Sequence, residues 1–457
     1  MAEAHDVVVI GAGPCGLGAV RELRRLGIHD VVVLEAGDRP GGLACSTVDD
    51  AGFTWDRGGH VVFSHYGAFD DLLAEVLGDE VHWHDRSSWV LADGTWVPYP
   101  FQNNLHRLDP EVTEACLVGL VEAGASGGSP DGAGDLASWA AATFGSGIVE
   151  HFFSPYNQKV WASALEDLSA SWIAERVAVV DWRDALRRTL RDQDDISWGP
   201  NNRFAFPAQG GTGEIWRRAA LPHAAAIRLG TAVARVEVDD RVVVTTAGDE
   251  VGYRHLISTM PLDRLVAAVP AAPGAVAEAA ASLVHTTVHV VGVGYEAPTT
   301  DDRSWLYFAD RDVPFYRATN FGKYAAANLP DADDRRYCSW MCEVSSSDAR
   351  PTSPDGLVGR VDEALRRTGV VPGDPPVATR HLETVPYAYP VPTRGRDAAL
   401  ATVLPWLDQR GIWSRGRFGT WRYEVGNMDH AVKMGIDAAQ RVVTGAAEEL
   451  VPRELVA

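Results

Sequence analysis

Cysteine is scarce. The 457-residue chain has five, Cys15, Cys45, Cys116, Cys338 and Cys342, too few and too scattered for a disulfide framework. Cys338 and Cys342 sit in an alternating, strand-like stretch with no second Cys/His pair nearby, so no metal site is read there. A reducing cytoplasm is the expected compartment. There is no apolar run of bilayer length, so no membrane insertion is expected. The start, MAEAHDVVVIGAG, has no basic flank or cleavage site and enters a strand pattern at once. Basic residues are in deficit, 41 against 62 acidic, for a net charge of −21. That balance argues against nucleic-acid or anionic-membrane binding. An anionic ligand would have to be met by a few local arginines. There is no Ser/His/Asp or paired-carboxylate motif, no internal repeat and no sustained charge block. With 46% apolar and 23% charged residues, the chain has an ordinary globular composition, and its length suggests two or three domains.

Glycine, by contrast, is placed with purpose. VVVI (7–10) is a short buried-strand pattern. Gly11, Gly13 and Gly16 follow in GAGPCG, then the helical LGAVRELRRLG, then a second strand, VVVLEA, which carries Glu35 near its end. Strand, tight turn, helix, strand and acid in this order form a dinucleotide-binding fingerprint. The glycines admit a pyrophosphate at the helix N-terminus, and the acid takes ribose hydroxyls. The fingerprint alone does not separate FAD from NAD. Two more glycine pairs follow, Gly41–Gly42 in DRPGGLACS and Gly58–Gly59 in GFTWDRGGHVVF. They resemble the amine-oxidase-like FAD superfamily, where such pairs line an extended FAD.

Residues 79–103 alternate and are aromatic-rich, predicting strands with a turn at Asp93-Gly94. Residues 110–195 read as mainly helical, broken by a Gly/Ser/Pro-rich surface loop at 122–135. RFAFPAQGGTGEIW (203–216) reads as strand, turn and helix; 227–262 as a hairpin and a further strand; 283–345 as an antiparallel sheet; 351–375 as Pro-rich around one helix. Residues 412–443 run from a strand through Gly419 and Gly426 into an amphipathic helix. The expected fold is α/β: a discontinuous Rossmann-like FAD domain (1–78, 203–262 and 400–457), a mainly helical domain (104–202) and an antiparallel-sheet substrate domain (79–103 and 263–399).

One stretch, YPFQNN (99–104), sets two rings and a proline beside three side-chain amides. An unpaired buried amide costs a few kcal/mol, so the combination points to a planar, hydrogen-bonding ligand such as a nucleobase.

The blocks GAGPCGLGA, GGHVVFSHY, WVPYPFQNN, SPYNQKVW, ERVA, WGPNNRFAFPAQGGTGEIW, WLYF, PFYRAT, YPVPT and SRGRFGTWRYEVGN run in order from about residue 6 to about residue 440. On these the chain resembles the UDP-galactopyranose mutase family, more its larger eukaryotic type than the common bacterial one. The resemblance implies non-covalent FAD, active when reduced, with NAD(P)H as reductant. It implies interconversion of pyranose and furanose forms of a nucleotide-linked sugar through attack of reduced flavin N5 on the anomeric carbon, without net redox change. It places Gly11, Gly13, Gly16, Glu35, Gly41, Gly42, Gly59, His60, Gly419 and Asn427 at the cofactor. Tyr99, Phe101, Gln102, Phe152 and Asn157 belong to the uracil end, and Trp161 to the sugar. Arg176 and Arg317 contact the diphosphate, with Tyr307, Tyr389 and Tyr423 donating to it. Trp305, Asn201 and Asn427 complete the substrate site. His60, Arg176 and Arg317 are the catalytic positions, and segments 173–182 and 198–202 should order on binding. Gln209, Glu214 and Met428 depart from the family pattern. Three other readings compete: the same chemistry on another nucleotide-linked hexose such as a GDP-sugar, a net-redox amine-oxidase-like flavoenzyme, and a non-catalytic nucleotide-sugar sensor.

Overall fold

The computed structural model describes residues 3–125, 132–173, 177–196 and 202–455. Two seven-stranded sheets organise the chain. The first grows from Glu3–Ile10, whose last four residues are buried. It pairs in parallel with Val31–Leu34 on one side, Val7 opposite Val31 and Val9 opposite Val33, and with Glu250–Ser258 on the other. Ile412–Ser414 and Ile227–Arg228 extend the parallel part. Parallel strands are covered on both faces, and so their sequences are continuously apolar. The helix Pro14–Arg25 lies on one face, and the last helix, Met428–Thr444, packs against it. The hairpin Val233–Glu237/Val242–Thr245 forms the expected antiparallel edge.

The second sheet runs in the order Val377–Pro390, His285–Tyr295, Cys338–Ser346, Arg317–Asn320, Trp305–Phe308, Ser88–Ala92, Thr95–Pro98. It is not purely antiparallel as the alternation implied, because Trp305–Phe308 pairs in parallel with Ser88–Ala92. Alternation reports which faces a strand shows, not the direction of its neighbour. The turn between the last two strands falls at Asp93 (φ 48°) and Gly94 (φ 71°), a left-handed pair suited to a two-residue hairpin.

Two segments sit elsewhere than their sequence neighbours suggest. Val81–Asp85 pairs with Arg203–Pro207 in a separate two-stranded sheet and does not join the second sheet. The helices Leu262–Ala267 and Gly274–Ala281 bury Leu262, Leu265, Val276 and Ala280 in the core of the first sheet. Helices Pro110–Ala125, Leu136–Ile148 and Ser154–Trp161 build a third layer with its own aromatic core. All five cysteines are buried free thiols. Among the described residues no helix is long and apolar enough to cross a membrane.

Candidate active site

A cavity of about 1320 Å³ lies between the two sheets. Its first end is the glycine turn. Gly11 has φ 97°, and a Cβ there would fall 2.2 Å from Thr259 Oγ1; one on Gly16 would fall 1.9 Å from the Gly11 carbonyl oxygen. Only glycines let strand, turn and helix close up this tightly. Glu35 lines the cavity with its carboxylate accepting from Ala12 N (2.6 Å) and Gly37 N (2.8 Å). Gly41 N donates to Ala12 O at 2.9 Å, which ties the second glycine pair to the first turn, and Gly42 faces the cavity. These residues fit an FAD: a helix N-terminus open for pyrophosphate, an acid positioned beside it, and an elongated space beyond.

Gly58, Gly59 and His60 line the middle of the cavity. Burial, with Arg417 and Arg317 nearby, pushes the His60 imidazole down to about 4, against the pull of Glu343. It is therefore neutral at pH 7. Asn427 occupies the N-cap of the last helix and also lines the cavity. Gly419 does not. Its place in the sequence suggested cofactor contact, but it sits in the turn behind the wall, its carbonyl accepting from Ser414 Oγ (3.0 Å), and the wall residue of that turn is Gly416. The turn is anchored by Arg415, fully buried between Asp408 and Glu448.

The far end is aromatic and basic. Arg317, Trp305, Tyr307, Tyr389 and Tyr423 all face the cavity. Arg317 lies 3.5 Å from the Tyr389 hydroxyl. It also makes two parallel hydrogen bonds to Glu343, Nε–Oε1 2.7 Å and Nη2–Oε2 2.8 Å. Glu343 is buried and also accepts from Tyr316 OH (2.6 Å) and Gly59 N (2.9 Å). Burial alone would raise this carboxyl. The Arg317 charge and these donors hold it below the ordinary carboxylate value. Burial likewise works against the Arg317 charge, and Glu343 keeps it protonated well beyond the usual range.

Other expected substrate residues lie one layer back. Phe101 and Phe152 stack on each other, centroids 4.7 Å apart. Both are buried in the helical core. Two rings in contact satisfy one another and leave no slot between them for a base. Gln102 is buried and donates its amide to Ala178 O, while its Oε1 has no hydrogen-bond partner. Asn157 donates to Phe153 O at 2.8 Å. Trp161 is buried edge-on to Tyr423, centroids 4.8 Å apart, and Tyr99 is 5.4 Å from Tyr307. This layer therefore backs the tyrosines of the wall. Arg176, Asn201 and most of 198–202 lie outside the described residues.

Sequence reasoning missed three contributors. Glu343 had a signal, an acid in the middle of the apolar strand CSWMCEVSS. Arg86 stands over Tyr99 (5.2 Å) and Trp305 (4.9 Å), and Arg417 stands over Tyr389 (5.3 Å) while donating to Gly426 O. Both line the cavity; only the fold brings them there. The departures Gln209 and Glu214 lie outside the cavity wall, engaged with Glu80 and with Arg217 and Arg218. Met428 lines it.

The flavin containing amine oxidoreductase family profile matches residues 14–443, and the architecture recurs in solved amine oxidases. Wild-type putrescine oxidase superposes with a TM-score of 0.65 at 16% identity, covering 97% of this chain and all of that one. Cyclohexylamine oxidase from Brevibacterium oxydans gives 0.66 at 18%, with 96% and 98% covered. At these identities the likeness is one of fold. The human lysine-specific histone demethylase 2 is 42% identical over 95 residues, 21% of this chain and 11% of that protein. Fold and cavity thus define a flavin-dependent enzyme of the amine oxidoreductase class. A reduced UDP-galactopyranose mutase structure aligns at 36% identity with a TM-score of 0.93, over 97% of this chain and 96% of its own. The chain belongs to the UDP-galactopyranose mutase family and is a flavin-dependent mutase.

Proposed function

We propose that this mutase interconverts the pyranose and furanose forms of a nucleotide-linked hexose, UDP-galactose first among them, with NAD(P)H as the reductant of its FAD. The observation that carries the reading is the junction within one cavity of a dinucleotide cradle and an arginine-tyrosine wall. An amine or apolar substrate has no use for Arg317, Tyr307, Tyr389 and Tyr423 converging at the far end of the cavity. A diphosphate does, because charge-assisted bonds from a planar guanidinium read two oxygens at once. The 36% identity to a UDP-galactopyranose mutase supports the uridine nucleotide and galactose.

A bound, reduced flavin would supply the nucleophilic chemistry at the anomeric carbon that displaces the diphosphate. The residues here do the rest. Arg317, fixed in plane by Glu343, holds the detached diphosphate for its return, and the tyrosine hydroxyls donate to oxygens where charge accumulates. His60, neutral at pH 7, presents an uncharged edge beside the cofactor cradle. We place the nucleobase toward Tyr99 and Gln102. The unsatisfied Gln102 Oε1 supports this, since a buried acceptor without a donor costs about 1–3 kcal/mol and a base N–H would relieve it. Arg176 and Asn201 are proposed as further diphosphate and substrate contacts. In this reading 1–78, 203–262 and 400–457 serve the cofactor, 104–202 the base, and 79–103 with 263–399 the diphosphate and sugar. A cytoplasmic location suits the reduced cofactor.

The test is incubation of dithionite-reduced enzyme with UDP-galactofuranose and, separately, with GDP-hexoses, the products being resolved by chromatography. Conversion of the UDP-sugar with no stoichiometric oxidation of NAD(P)H is expected. One reductant consumed per product would establish a net-redox enzyme instead, and preferential turnover of a GDP-sugar would reassign the base.

A further inference from the structure

Beyond the flavin and substrate residues, a different cluster stands at the cavity edge. His65 ends the segment that carries Gly59 and His60. Asp429 and His430 lie in the first turn of the helix Met428–Thr444. One potential ligand atom from each of the three falls within 4.8 Å of the others, and among the described residues no other group of three His, Cys, Asp or Glu meets that test. Both histidines line the cavity. Asp429 is fully buried.

The hydrogen bonding of the cluster is incomplete. Asp429 Oδ2 accepts from His65 N (3.1 Å) and faces His65 Nδ1 (2.7 Å). Asp429 Oδ1 and His430 Nδ1 lie 3.1 Å apart as an ion-pair contact, and neither atom completes a full hydrogen bond. The two imidazoles are 5.3 Å apart, tilted by 38°. A buried carboxylate oxygen and a buried ring nitrogen thus face one another in a contact that falls short of a full hydrogen bond. A buried, unpaired polar atom calls for an explanation such as an ion or water.

From this geometry we propose that His65, Asp429 and His430 form a binding site for a divalent transition-metal ion of the Zn²⁺ type. Two imidazoles and one carboxylate are a borderline-soft set that suits Zn²⁺ and its neighbours, whereas Mg²⁺ and Ca²⁺ take all-oxygen shells. When a ring nitrogen of His65 turns to the metal, Asp429 Oδ2 keeps its bond from the His65 amide. The positive end of the helix opposes a cation, but only with a partial charge against the full charge of Asp429. Lys433, one turn on, is compensated by Asp437 and Glu449. Three protein ligands leave a fourth position, as in zinc sites that accept an exogenous oxygen, and it opens on the cavity. The ion would clamp the 58–66 segment to the helix that begins beside Asn427, joining two walls of the cofactor site.

The experiment uses oxidised, flavin-loaded enzyme freed of metal by a chelator. Zn²⁺ is titrated calorimetrically, and retained zinc is counted after gel filtration in the wild type, His65→Gln and His430→Gln. Removing even a hydrogen-bond partner of a metal ligand weakens binding about 10–100-fold, so loss of a ligand should weaken it at least as much. One Zn²⁺ per chain in the wild type and a loss of about tenfold or more in each variant support the site. No retained zinc, or equal affinity in all three, overturns it. Flavin absorbance reports whether the variants are folded. If either is not, electron paramagnetic resonance of Cu²⁺ in the wild type decides: coupling to two imidazole nitrogens supports the site, and one or none refutes it.

Discussion

Glu343→Gln is the substitution that most directly tests how the arginine-tyrosine end of the cavity is built and whether it meets a diphosphate. Four donors converge on this carboxylate: Arg317 Nε and Nη2, Tyr316 OH and Gly59 N. Glutamine has the same shape but one acceptor oxygen and a donor NH₂. At least one buried donor therefore faces another donor, and the Arg317 charge loses its counter-ion. Breaking a buried pair by removing one partner costs about 3–5 kcal/mol. With an unfolding entropy of about 2.1 cal/mol/K per residue, a chain of 457 residues should lose roughly 3–5 °C in Tm. The effect depends on ligand. UDP brings a diphosphate to the orphaned guanidinium, so it should raise the Tm of the variant more than that of the wild type. Thermal unfolding of the flavin-loaded proteins by circular dichroism, with and without saturating UDP, measures both quantities. A Tm unchanged within about 1 °C, against the shift expected for a broken buried pair, would show that Glu343 does not carry the Arg317 charge. Equal UDP shifts would show that Arg317 does not meet the diphosphate.

Arg317→Ala should lower kcat/KM about 100-fold, near 3 kcal/mol of transition-state stabilisation. Arg317→Lys should recover only part of it, since a point charge cannot bridge Glu343 and two phosphate oxygens; steady-state rates within a few-fold of wild type for the alanine variant would remove Arg317 from the mechanism. Gly11→Ala places a Cβ 2.2 Å from Thr259 Oγ1, and its preparation should lose the yellow colour of non-covalent FAD that the wild type keeps, a difference read at the flavin absorbance. His60 has a folded value of about 4 against about 6.5 when unfolded. Its contribution to stability is full above the unfolded value and is lost as pH falls from there toward the folded one. Urea unfolding at pH 7 and pH 5 should show a loss in the wild type that is smaller in His60→Asn; equal losses would mean that His60 titrates normally.

The first nucleotide site was readable because its signals are local. Gly11, Gly16 and Glu35 are demanded by one turn, one helix start and one strand end, all within a short stretch of chain, and they stand in the structure as their spacing implies. The hairpin at Asp93-Gly94 and the final helix were legible for the same reason. The arginine-tyrosine end of the cavity was legible only in part. Arg317 and the tyrosines could be named from their blocks, but the partner that fixes Arg317 is Glu343, on the neighbouring strand, and cross-strand pairing is set by sheet register, which no local pattern encodes. The same limit explains Gly419 and Phe101. A glycine before a helix can serve a ligand or only a tight turn, and two rings in a loop can hold a base or hold each other. What decides between these is which surfaces the packed layers bring together. The sequence by itself determined the dinucleotide cradle and the supply of arginines and tyrosines. The tertiary structure decided which of them face the cavity, because facing is a property of several elements at once and no single segment contains it.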